Sequence, residues 1–123
     1  MKYRILAAPL LTAFTVVFFF ACGNSKEEAS KMPGKAVFDN YNCAQCHGAQ
    51  GEGSKLAPAI DKLGEHFTKA QLIEYLKNPM EYAKQDPRLN EQKKGYPSMM
   101  PNYEFIGEEK LSDLADYLLK AYE

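Results

Sequence analysis

Cys43-Ala44-Gln45-Cys46-His47 places two thiols three residues apart and an imidazole directly after the second. Thiols at that separation can add across the two vinyl groups of a haem, giving two thioether bonds. The adjoining histidine then lies under the iron as its proximal ligand. The competing chemistries find less support. A zinc site needs four ligands, yet no cysteine follows Cys46 and the only other histidine, His66, stands alone. A thioredoxin-like thiol pair sits at a strand-to-helix turn of an α/β fold, and no stretch here alternates as a strand does. A disulfide between Cys43 and Cys46 leaves His47 without a role.

An iron held on one side by His47 needs a sixth ligand or an open site. The candidates beyond the motif are His66, Met80, Met99 and Met100. Thioether sulfur is a soft ligand, and Met/His ligation raises the reduction potential. Met80 follows Pro79 near a helix end, where core packing is the ordinary role. Met99-Met100-Pro101 lies in a proline-bounded loop, a place from which a sulfur can cover the second face of a haem.

The elements that must position these groups read as helices. Gly34–Asn42 follows Pro33 and sets Val37, Phe38 and Tyr41 on one side. Thr68 and Gln71 form a capping box that opens a run carrying Leu72, Ile73 and Leu76, with Pro79 as its stop. Leu111, Leu114, Ala115 and Leu118 make the stripe of a packed helix from about Glu108 to Tyr122. Glu108 and Glu109 in its first turn and Lys120 in its last suit the helix dipole. Between these helices run Gly48–Gly64 and Met80–Ile106, long and rich in glycine and proline. Loops of that length in a small domain need something to pin them.

The length of 123 residues fits a single domain. With 46% hydrophobic and 25% charged residues, the chain is neither a disordered tail nor a long coiled coil, and its single long apolar run excludes a multi-span membrane protein. The net charge of −1 comes without any dense basic block, so a nucleic acid partner is not expected.

That apolar run is an address. Lys2 and Arg4 precede Ile5–Phe20, which carries no charge. A positive start before an apolar core is the plan of a secretory signal. The run is short of the roughly 20 residues that span a bilayer, which leaves an uncleaved helix as the alternative. Ala21-Cys22-Gly23 resembles a bacterial lipoprotein box, although Phe19 stands where leucine is usual. The division is therefore a signal peptide over 1–21, a lipid on Cys22 heading a flexible tether over 22–32, and a folded domain over 33–123. Ten flexible tether residues have an r.m.s. reach of about 16–19 Å. The domain is expected on the periplasmic side of a bacterial membrane.

Residues 34–123 resemble the class I monohaem cytochromes c. Cys-x-x-Cys-His after a first helix carries the resemblance, together with Gly51-Glu52-Gly53, Ala57-Pro58-Ala59-Ile60, Met100-Pro101 and the final helix with Leu111, Leu114, Tyr117 and Leu118. The resemblance implies an all-α fold, three to five short helices wrapped around one covalently attached haem c. It implies that Cys43 and Cys46 hold the haem, that His47 and Met100 ligate the iron, and that the Pro58 carbonyl accepts a hydrogen bond from the proximal imidazole. Gly34 and Phe38 would cross the last helix near Leu114 and Tyr117. The family often places a tryptophan on a haem propionate; this chain has none, leaving Tyr82, Arg88 or Tyr96 for that role.

The function so implied is that of a one-electron carrier, not an enzyme. It would act as a monomer between redox proteins such as a membrane electron donor and a terminal acceptor. Its contact rim would include Ala44, Gln45, Ala49, Lys55, Ala57 and Met99. Lys93 and Lys94 read as a solvated pair. The alternatives are a haem subunit or peroxidase-like enzyme with a labile distal ligand, and a non-haem metal or thiol-redox module.

Overall fold

The computed structural model describes residues 25–123; the signal segment and Cys22 lie outside the described residues. Among the described residues there are eight α-helices and no strand. They are α1 (Ser25–Ala29), α2 (Pro33–Asn40), α3 (Cys43–His47), α4 (Leu63–His66), α5 (Lys69–Lys77), α6 (Pro79–Gln85), α7 (Pro87–Gln92) and α8 (Glu108–Ala121). Short 3-10 turns occupy Lys93–Gly95 and Glu104–Ile106.

α8 is the axis of the core. Its stripe of Leu111, Leu114, Ala115 and Leu118 is buried, as the spacing predicts, and Tyr117 joins it. α2 crosses α8 at Gly34, where a Cβ would run into the Asp113 carbonyl and the Tyr117 Cβ. Phe38 packs edge-on against Tyr117, with ring centroids 5.5 Å apart. α5 packs on α8 through Leu72 and Leu76. The predicted capping box is present: the Gln71 N–H donates to Thr68 Oγ1 at 3.3 Å, and the Thr68 N–H donates to Gln71 Oε1 at 2.9 Å.

The stretch 80–106 departs from the expected loop. Pro79 and Pro87 open α6 and α7 instead of merely ending what precedes them. Proline suits the first helical position, where its missing N–H has no partner to lose. Asn78 and Asp86 supply the caps: Asn78 Oδ1 accepts from the Glu81 N–H, and Asp86 Oδ1 from the Arg88 and Leu89 N–H groups. The domain thus has more helices than the three to five expected.

The expected flexible tether over 22–32 is also corrected over its described part. Ser25–Ala29 is a helical turn packed on α8. Ala29 is completely buried, and the Lys26 ammonium stands 6.0 Å from the centre of the Tyr122 ring.

Candidate haem site

α3 is a single helical turn. Asn42 enters it in the left-handed conformation (φ 55°), which asparagine tolerates, and Gly48 (φ 86°) ends it. Residues three apart share a helix face, so Cys43 and Cys46 are presented together. The following loop closes over the turn. The Gly53 N–H donates to the His47 carbonyl at 2.7 Å, and Ser54 Oγ donates to the Cys46 carbonyl at 2.6 Å. Carbonyls that the helix leaves without partners are thereby satisfied.

The same loop returns Pro58 to His47. His47 Nδ1 lies 2.8 Å from the Pro58 carbonyl oxygen. A carbonyl only accepts, so Nδ1 carries the proton and Nε2 of the neutral ring keeps its lone pair. Burial pushes the His47 pKa down, against a smaller opposite effect of the Pro58 bond, which favours that neutral ring at pH 7.

Cys43, Cys46, His47 and Pro58 all border one cleft of about 600 Å³. Met80, Ala83 and Leu89 of α6 and α7 line it too, as do Met99, Met100 and Pro101 from the loop before α8. Tyr41, Tyr75 and Tyr103 add aromatic walls, while Gln92, Lys93, Lys94 and Tyr96 supply polar groups. The two neighbouring methionines differ. Met99 is 64% exposed, whereas Met100 is half-buried and packed against the core.

The chemistry of this lining fits a haem. The volume lies in the range of roughly 300–1,000 Å³ typical of small-molecule and cofactor sites. Two thiols, one imidazole and thioether sulfurs face it, and most of the remaining lining is apolar. The alternatives fare worse. No group of three potential metal-binding His, Cys, Asp or Glu side chains occurs among the described residues. Burial pushes the Cys43 thiol up to about 11, whereas a thiol-redox nucleophile needs its pKa lowered.

A family model described as Cytochrome c matches residues 32–121. The chain belongs to the cytochrome c family. It is therefore a haem-based electron carrier, all-helical among the described residues, whose cofactor is covalently attached haem c with its iron. No curated protein and no solved structure matched the chain.

Within this cytochrome c domain the other expected residues fall in different places. His66 is exposed in α4 and does not border the cleft. Tyr82 and Arg88 are also off it: the Arg88 guanidinium sits 5.2 Å from the centre of the Phe67 ring and pairs with Asp86 at 3.3 Å. Tyr96 does border the cleft, and so does Tyr75, which sequence reasoning passed over. Tyr75 stands three residues from Leu72 in α5, a signal that its ring faces inward with the stripe. Of the expected rim, Gln45 and Met99 border the cleft and are exposed, whereas Ala57 borders it but is buried. Ala44 packs on the core, and Ala49 and Lys55 are exposed away from the lining. Leu56, 40% exposed, is the rim residue the sequence did not single out.

Proposed function

We propose that this cytochrome c domain passes single electrons between redox proteins with His47 and Met100 as axial ligands and Cys43 and Cys46 in thioether bonds. The observation that carries the reading is the 2.8 Å contact between His47 Nδ1 and the Pro58 carbonyl, made beside a cleft that Met100 also borders. The bound haem iron supplies the one-electron couple. His47 offers Nε2, and the Pro58 carbonyl fixes the ring and makes that nitrogen a stronger donor. Met100 offers a soft sulfur from a packed position; the exposure of Met99 argues against it. Ala83 and Leu89 keep water from the interior of the site. With His47 and Met100 both bound to the iron, a substrate would find no place there, which favours a carrier over an enzyme. Leu56 and Met99 give partners an apolar surface to touch, suited to the small and transient contacts of electron transfer.

The domain belongs, on this reading, on the periplasmic side of a bacterial membrane, held by a lipid on Cys22. Mass spectrometry of the mature protein tests that placement: an N-terminus at Cys22 bearing lipid supports it, and an unmodified one refutes it. Absorption spectroscopy of the haem-loaded protein tests the ligands. The weak far-red band of an iron–thioether bond is expected in the wild type and in Met99→Ala, and is expected to vanish in Met100→Ala. Its persistence in Met100→Ala would overturn Met100 as ligand. Rapid cyanide binding by the wild type would favour the peroxidase-like alternative.

A further inference from the structure

Tyr122 stands just beyond the end of α8, four residues after Leu118 and in line with its hydrophobic stripe, and only 6% of it is exposed. Its ring is enclosed on three sides. Tyr117 lies edge-on with centroids 6.3 Å apart. The Lys26 ammonium of α1 covers another side. The third side is Gly51, where a Cβ would fall on the Tyr122 ring. Gly51 also holds φ at +73°, so glycine is required there by both space and conformation.

Gly51 belongs to the loop that carries Pro58. Its carbonyl accepts from the Ile60 N–H at 2.7 Å, two residues beyond Pro58. Between these points the Gly53 N–H holds the His47 carbonyl. The main chain of Tyr122 adds a second tie, its carbonyl accepting from the Leu63 N–H at 3.1 Å. The ring therefore presses on one end of a clip whose other end sets the Pro58 carbonyl against His47. α1, which completes the enclosure, precedes the family-matched region beginning at residue 32.

We infer that Tyr122 is a positioning residue for the proximal histidine: its ring, seated on Gly51, holds the loop that keeps the Pro58 carbonyl on His47 Nδ1 and thereby tunes the reduction potential. This rests on His47 being the proximal ligand. A tighter hydrogen bond at Nδ1 raises the basicity of a ligating imidazole. A stronger nitrogen donor favours the ferric over the ferrous state. Loosening the loop weakens the donor and raises the potential.

The test uses the haem-loaded full chain and reads two quantities, the reduction potential and the exchange rate of the His47 Nδ1–H by NMR. Tyr122→Leu removes the ring; the potential is expected to rise and the Nδ1–H to exchange about tenfold faster. Tyr122→Phe keeps the ring on Gly51, and both readouts are expected at wild-type values. Thr68→Ala weakens a distant helix cap and is expected to leave both unchanged. Wild-type values in a haem-loaded Tyr122→Leu protein would overturn the inference, as would an equal shift in Tyr122→Phe or in Thr68→Ala. Should Tyr122→Leu fail to load haem, Lys26→Ala decides: it opens one side of the enclosure, a smaller shift in the same directions is expected, and none would overturn the inference. A wild type without any hydrogen-bonded imidazole N–H at the haem would instead sink the reading of His47 itself.

Discussion

His47 Nδ1 and the Pro58 carbonyl oxygen meet at 2.8 Å across eleven residues of chain. The contact depends on a loop that reverses twice through glycines in the left-handed region, Gly51 and Gly53. Gly53 is the tighter of these two with respect to main chain: at φ +83°, a Cβ would lie 2.6 Å from the Ala59 nitrogen. Gly53→Ala must therefore move backbone, and the residue would also hold an unfavourable φ. A loss of about 1–3 kcal/mol is expected, measured as a lower denaturation midpoint of the haem-loaded protein with an unchanged m-value.

Gly34→Ala separates two opposing effects. Within a helix, alanine is ordinarily better than glycine by roughly 0.5–1 kcal/mol. Here the new Cβ meets the Asp113 carbonyl and Tyr117 Cβ, so α2 and α8 have to move apart. Overpacking typically costs about 1–3 kcal/mol, and the clash decides the sign. Thermal unfolding should show a lower midpoint for Gly34→Ala. A higher midpoint would mean that the two helices do not cross this closely.

The features legible in the sequence were those with a local cause. The α8 stripe, the Thr68–Gln71 box and the Cys-x-x-Cys-His turn each depend on residues a few positions apart. What escaped was of two kinds. Pro79 does stop α5, which ends at Lys77, but a proline at the first helical position also starts a helix, and so Pro79 and Pro87 open α6 and α7 in a stretch that reads as loop. The cleft was the other kind. Tyr41, Tyr75 and Tyr103 reach it from three separate segments, and no spacing rule links them. The contrast between exposed Met99 and packed Met100 is likewise tertiary, since both occupy the same loop.

Ala29 tests whether α1 belongs to the folded unit. It is completely buried against the core, so Ala29→Asp would bury a carboxylate with no partner prepared for it. Undocking α1 relieves that cost, because the family-matched core starts later, at residue 32. Hydrogen exchange should therefore show fast amides in α1 of the variant while α8 stays protected. Continued protection of α1 in Ala29→Asp would contradict the packing described.

Tyr103 gives the domain a pH dependence on the alkaline side. Its main-chain N–H donates to the Leu76 carbonyl at 3.0 Å, and its side chain borders the haem cleft. Burial is the main cause that pushes its phenol from 10.0 up to about 12. In the folded protein the group keeps its proton where the unfolded chain has already released it. The unfolded state then binds fewer protons, so stability falls as pH rises. The loss should begin near pH 10 and run to about 12. Tyr103→Phe removes this share of the slope without emptying the space of the ring. Part of the slope must remain, because burial also raises Tyr75, Tyr117 and Tyr122. Denaturation midpoints at pH 9, 10 and 11 should therefore fall less steeply in Tyr103→Phe than in the wild type. Parallel curves would mean that the phenol of Tyr103 is not protected from water.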